Sequence, residues 1–259
     1  MEHQEIIDHM KNNGVKASPR GAPVFELLNQ KYEFPIGTLL HREGFNPVIG
    51  IMEGLGVITG TSVKPQLMDI APKTYKAGYF DTKTDYGTRA GTHWMDAVNA
   101  LLDDKESRSA QFTIAKNTDR PNDKPCTLAV QAQIRNNTFH LTAFMRSLDV
   151  VRGLAVDVQI WNILAEAMNA ELRKSLMCRL NMGTLTIFAA NAHLYYIDYE
   201  KNAYQNGTMD WNCLLAPTKE AKNELKYDNR KHDLKEWNDR GMGEPVYMGE
   251  GFVLEGDPK

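Results

Sequence analysis

The stretch Cys126–Asp149, CTLAVQAQIRNNTFHLTAFMRSLD, carries two runs of alternating character around a central Asn136-Asn137 pair. Leu128, Val130, Ala132 and Ile134 alternate with more polar neighbours, and Phe139, Leu141 and Ala143 alternate on the return. A period of two is the mark of a strand with one covered face. Asn-Asn is a weaker turn pair than Asn-Gly, but between two such runs it predicts a β-hairpin. With the turn there, position 126 falls opposite 146 or 147. Cys126 and the Arg146-Ser147 pair therefore become neighbours across the ladder.

Working outward, EIIDHMKNN predicts a short amphipathic helix ending near Gly14, with ASPRGAP as a turn after it. Asn46 to Gly60, NPVIGIMEGLGVITG, has an apolar helical pattern broken by glycines around one carboxylate, Glu53. Glycines weaken a helix, so several around a lone acid point to close packing or a nearby ligand. Met68 to Gly91 reads as irregular and polar. THWMDAVNALLDD then reads as a helix capped by Thr92, and SRSAQFTIAK as a strand.

Beyond the hairpin, VQIWNILAEAMNAELRKSL places Ile160, Leu164, Ala167, Met168 and Leu172 at helical spacing. GTLTIFAANAHLYYIDY returns to strand and puts His193 and Tyr195 on one face. The tail after about Pro217 is charged. Nothing resembles an internal repeat or an interdomain linker, so the expectation is one α+β domain over 1–259.

The chain has 259 residues, 42% hydrophobic and 24% charged, enough for a sizeable core. A formal net charge of −3 gives no global basic field for long nucleic acid. No window approaches the length of a membrane span, and the N-terminal segment is too charged for a signal peptide. The three cysteines, Cys126, Cys178 and Cys213, are an odd number without metal-type spacing. They suggest a reducing, cytoplasmic setting with no metal site.

Several residues stand out chemically. Cys126 opens a strand beside Arg146; the plain reading is a small buried residue, the sharper one a nucleophile made thiolate-like by positive charge. Glu53 in an apolar helix is a carboxyl whose pKa burial would raise, as a proton-transfer group near neutrality needs. His193 and Tyr195 read equally as core packing or as a hydrogen-bonding pair. Arg20 and Arg108 stand at loop–element junctions, where single arginines are usually solvated.

Taken in order, Arg20 in SPRG, Glu53 in IMEGLGVITG, Tyr86 in YG, Arg108 in SRS, Cys126 in PCT, Arg146, Ser147 and Asp149 in RSLD, Gly153 and AHLY form a series. It resembles the thymidylate synthase family from about residue 18 to about 200. The resemblance implies a homodimer built on a large bent mixed sheet with helices packed around it. It also implies a cleft for a pyrimidine nucleoside monophosphate and 5,10-methylenetetrahydrofolate. By position, Cys126 resembles the nucleophile that adds to C6, and Glu53 the acid that handles protons and ordered water near the ring. Arg20, Arg146 and Ser147 resemble phosphate ligands, for which the arginine fork is suited. Arg108 resembles an arginine lent across the dimer interface. His193 and Tyr195 resemble the pair on the sugar hydroxyl, Tyr86 lies on the nucleotide side, and Asp149 with Gly153 on the folate side.

Asp157 departs from the family, which has an asparagine there to read the pyrimidine edge. Cytosine offers an N4–H₂ donor that a carboxyl accepts from, and an N3 acceptor that a proton shared with Asp157 satisfies. Uracil's O4 would face an ionised Asp157 with lone pair against charge. The change is shared with the deoxycytidylate hydroxymethylases of this family and points to a cytosine nucleotide. The competing reading makes Asp157 the N-cap of a helix beginning at Val158.

Two further departures bear on the product. The family shields its reactive exocyclic methylene with a tryptophan ahead of the YG motif and a closing apolar terminus. Here the first tryptophan is Trp94, after Tyr86, and the sequence ends FVLEGDPK. Both favour capture by water over hydride transfer. The resulting expectation is conversion of dCMP to 5-hydroxymethyl-dCMP. CMP hydroxymethylation and methyl transfer to dCMP or dUMP are the alternatives; a non-catalytic nucleotide- or RNA-binding relic would have lost Cys126 or Glu53.

Overall fold

The structure is a computed structural model and describes residues 3–40, 47–63, 66–67, 85–120, 124–177 and 179–196. The elements are α1 (His3–Asn13), β1 (Val15–Ala17), a 3-10 turn (Pro19–Gly21), β2 (Val24–Pro35), α2 (Pro47–Thr59), α3 (Tyr86–Ala90), α4 (Trp94–Asp103), β3 (Gln111–Thr113), β4 (Thr127–Arg135), β5 (Thr138–Met145), β6 (Leu148–Asp149), α5 (Leu154–Leu176) and β7 (Asn181–Tyr195). Among the described residues the strands form one mixed seven-stranded sheet in the order β1-β2-β7-β5-β4-β3, with β6 also alongside β7. The sheet is open, and the class is α+β.

The hairpin forms as its alternation predicts. Asn136 and Asn137 have φ of 49° and 58°, the left-handed pair that a two-residue turn demands, and Arg135 pairs with Thr138. Thr127 pairs with Met145, and the Arg146 amide donates to the Cys126 carbonyl at 2.9 Å. A register shift between Thr127 and Ala129 bends β4 just after the cysteine.

β5 and β6 run parallel to β7, which requires a long crossover. The 23-residue helix α5 supplies it, burying Leu154, Val158, Trp161, Leu164, Met168 and Leu172 against the sheet and α2. Each such fully buried side chain contributes roughly 1.5–3 kcal/mol. Helix α2 lies directly on α5. A Cβ at Gly50 would stand 2.8 Å from the Gln159 Cβ, and one at Gly54 would stand 2.8 Å from the Ile163 Cβ. The glycines around Glu53 thus serve close packing of two helices.

Several expectations need correcting. Asp157 is not an N-cap: α5 begins at Leu154 with Gly153 at the cap position, and the Asp157 amide already donates to the Gly153 carbonyl. The helix expected from Thr92 starts at Trp94, and the Thr92 carbonyl merely accepts from the Met95 amide. SRSAQFTIAK contracts to three strand residues, Gln111–Thr113. Tyr86–Ala90, expected to be irregular, is a short helix capped by the Asp85 carboxylate, which accepts from the Gly87 amide. The 12-residue strand β2, paired along its length with β7, carries no expectation from sequence. The charged tail, residues 68–84, Cys178, Cys213 and the Arg20 side chain lie outside the described residues.

Candidate active site

Cys126 ends the approach to β4, and its side chain is exposed. Its neighbour Thr127 is wholly buried and donates twice to the Tyr86 hydroxyl oxygen, from the amide at 3.2 Å and from Oγ1 at 3.1 Å. The Tyr86 ring stacks on Trp161 of α5, with centroids 5.5 Å apart. Burial, then the charge of Asp157, then that of Cys126 push the Tyr86 phenol well above its ordinary range; the Thr127 hydrogen bonds oppose this. Thr127 and Trp161 were not expected from the sequence, because their contacts with Tyr86 span 41 and 75 positions and leave no local trace.

The glycine contacts of α2 bring Glu53 to the first turn of α5, where Asp157 is 7% exposed. Burial raises the Glu53 carboxyl well above its usual range, reinforced by Asp157 and then Asp85. The Asp157 carboxyl is pushed up to about 8, by burial first and by Asp149 second. Glu53, Tyr86, Cys126 and Asp157 therefore share one electrostatic environment, with Asp85 an unanticipated member.

The RSLD segment closes another side. Arg146 donates from Nε to the Pro125 carbonyl at 3.0 Å and from Nη2 to the Lys124 carbonyl at 2.8 Å, which fixes the residues entering Cys126. Ser147 Oγ lies 3.5 Å from His193 Nδ1. His193 and Tyr195 share a face as predicted, their rings edge to face at 5.1 Å. Asp149 Oδ1 accepts from the Val151 and Arg152 amides at 2.9 and 2.8 Å, and its carbonyl accepts from the Gly153 amide. At Gly153 a Cβ would meet the Asp149 carbonyl oxygen at 3.0 Å and Asp157 Oδ2 at 3.4 Å, so the bare backbone lets Asp157 come close to the Asp149 turn.

Arg152, absent from the sequence argument, is buried in this turn, with Nε 4.0 Å from Asp149 Oδ2 and its guanidinium 5.1 Å from the Tyr195 ring centre. Arg108 is exposed before β3, and its carbonyl accepts from Gln131 Nε2 at 2.8 Å; its contacts do not join it to the Cys126 group within one chain. Trp94 is buried elsewhere, donating its indole N–H to the Ile58 carbonyl at 3.1 Å. Among the described residues no group of His, Cys, Asp and Glu is arranged to hold a metal, and no helix is long and apolar enough to cross a membrane.

A thiol, two carboxyls whose pKa burial raises, a buried phenol and an arginine–serine edge make a site for covalent chemistry on a polar heterocycle. The family model described as thymidylate synthase matches residues 76–239, and the chain belongs to that family. Membership makes it a one-carbon transferase of the type that carries out folate-dependent modification of pyrimidine nucleotides at C5. No curated protein matches the chain.

Proposed function

We propose that the protein transfers a hydroxymethyl group to C5 of a cytosine nucleotide, with dCMP as the leading substrate. The observation that carries this is the Asp157 carboxyl, buried and raised to about 8. Near neutrality it retains a proton, so one oxygen accepts from cytosine N4–H₂ while the proton is shared with N3. Cytosine N3 can take up that proton and leave a carboxylate that accepts from both N3–H and N4–H₂, a charge-assisted pair that uracil cannot form because its O4 offers no hydrogen. A bidentate match of this kind is worth roughly 1–3 kcal/mol of discrimination.

In this reading the Cys126 thiolate adds to C6 and makes C5 nucleophilic. Glu53, its carboxyl raised by burial and by Asp157, handles protons at the ring through ordered water. Arg146 and Ser147, with Arg20 and Arg108, hold the phosphate. His193 and Tyr195 hold the sugar hydroxyl, with Tyr86 on the nucleotide side. 5,10-Methylenetetrahydrofolate supplies the one-carbon unit. The Asp149 carboxylate, beside the bare Gly153 backbone, suits the N–H donors of a pterin. C5 would take the one-carbon unit and lose its proton, with tetrahydrofolate as the leaving group; water would then add to the exocyclic methylene as the thiol leaves C6, so that the base is 5-hydroxymethylated. Trp94, the first tryptophan of the chain, donates its indole N–H to the Ile58 carbonyl and, in this reading, has no part in shielding the methylene.

The same reading makes the protein a cytoplasmic homodimer in which Arg108 serves the partner's phosphate site. Leu28, Phe144 and Phe188, each at least 37% exposed on the sheet strands, support a covered sheet face. The test is mass spectrometry of products from dCMP, CMP and dUMP, each incubated with methylenetetrahydrofolate. Gain of a hydroxymethyl group on dCMP alone supports the proposal. A methyl gain overturns water capture but keeps the base assignment, and turnover of dUMP overturns the role of Asp157.

A further inference from the structure

The Cys126 thiol sits at the end of a long connection from β3, and a nucleophile on a connection needs that connection held. Helix α3 touches it twice. At the far end, Tyr86 accepts both hydrogen bonds from Thr127, directly after the thiol. At the near end, Arg89 makes a two-pronged contact with Asp119, Nη1 to Oδ2 at 2.8 Å and Nη2 to Oδ1 at 3.0 Å, and Nη1 also reaches the Ile114 carbonyl at 3.3 Å.

Asp119 has a second task. Its Oδ2 accepts from the Lys116 amide at 2.7 Å, closing the turn that follows β3. The two side chains are only 9% and 7% exposed, and the Arg89 hydrogen bonds, first among several causes, keep the Asp119 carboxyl below its ordinary range. Tyr86 and Arg89 are three positions apart, so they project from neighbouring places on the same short helix. A five-residue helix cannot hold itself. Its place comes from what it grips: Trp161 and Thr127 through Tyr86, and Asp119 through Arg89.

We infer that the Arg89–Asp119 pair is a positioning device for the reaction, fastening the connection that delivers Cys126 onto the helix that carries Tyr86. A fork matching a carboxylate at two points fixes orientation as well as distance, which a single hydrogen bond or an apolar contact does not. Buried pairs of this kind add little net stability over apolar replacements, so their value lies in geometry. The inference takes Cys126 as the reacting thiol, but its decisive measurement needs no substrate.

That measurement is the rate at which iodoacetamide alkylates Cys126 between pH 6 and 9, followed by mass spectrometry of its peptide. It is made on wild type, Arg89→Met, Arg89→Lys, Asp119→Asn and the Arg89→Met/Asp119→Asn double variant. Leu172→Ala, a cavity variant well along α5, controls for lost stability. Releasing the connection lets the already exposed thiol drift from Arg146, whose positive charge favours its thiolate: alkylation near neutrality falls by more than about threefold in the Met and Asn variants and less in the Lys variant. Turnover of the family substrate falls by roughly tenfold or more.

Because the two residues act as one unit, the double variant is no worse than the worse single variant. Alkylation within about threefold of wild type in all pair variants, or matched by the Leu172→Ala control, overturns the inference. Independent losses that multiply in the double variant also overturn it. If Arg89→Met does not fold, the Arg89→Lys rate decides. Absence of activity on every pyrimidine nucleotide would remove the proposed function and leave the alkylation result standing.

Discussion

Asp157 lies in the first turn of α5, where the helix dipole favours an ionised carboxylate by ~0.3–1 kcal/mol. Its pKa nonetheless stands at about 8 in place of 3.8, which corresponds to roughly 6 kcal/mol in the opposite direction. Burial and the Asp149 charge win over the dipole by a wide margin. Because the folded state binds this proton more tightly than the unfolded chain, Asp157 leaves stability untouched below about pH 4. It subtracts from stability progressively between about pH 4 and pH 8, then levels off. Asp157→Asn is therefore expected to gain melting temperature over wild type at pH 8.5 and little at pH 4.5; an equal gain at both would show that the carboxyl does not titrate as described. The same variant should relax the base preference towards dUMP, read as the ratio of kcat/KM for the two nucleotides. Cys126→Ala is expected to abolish turnover while nucleotide binding by calorimetry survives, and undiminished turnover would remove the thiol from the mechanism.

The helix pair α2–α5 sets Glu53 and Asp157 side by side, and it does so through Gly50 and Gly54. Gly50→Ala or Gly54→Ala drives a methyl to within 2.8 Å of Gln159 or Ile163 and should cost ~1–3 kcal/mol. Activity should fall as well, because the separation of the two carboxyls changes; thermal melts and kcat measured together check both. That pairing was half legible in the sequence. Lone Glu53 among glycines signals a tight interface, but nothing local names α5 as the other half. The hairpin was legible to the residue, since period-two alternation and two asparagines able to take positive φ are local properties. β2 was not, because VFELLNQKYEFP sets Leu27 beside Leu28 and turns through Asn29 at φ 54°, which breaks the alternation. In the site, residue types and order revealed Cys126, Glu53 and Asp157. The raised carboxyls, the Thr127 grip on Tyr86 and the Arg89–Asp119 fork depend on burial and on contacts 30 to 41 positions apart.

Across the whole molecule, Phe144 of β5 and Phe188 of β7 are cross-strand partners with rings 6.4 Å apart and 37% exposed. Under the proposed homodimer, Phe144→Arg with Phe188→Arg is expected to shift the protein from dimer to monomer in sedimentation and to abolish activity, since each site would then lack the proposed Arg108 of its partner. A wild-type protein that sediments as an active monomer would refute the shared site. β7 has a wider reach. It lies between β2 and β5, so Val24 meets Tyr195 and Met145 meets Ala189. During synthesis, then, β2 is finished long before its neighbour exists. At ~5–20 residues per second, roughly ten to thirty seconds separate Pro35 from Tyr195 leaving the ribosome. Over that interval a nascent chain exposes one unpaired edge on β2 and, once Met145 has been added, another on β5, each able to join a second nascent chain. The strand that sets His193 and Tyr195 beside Ser147 and Arg152 is also the one whose arrival ends this exposure, so the site and the sheet are completed in the same event.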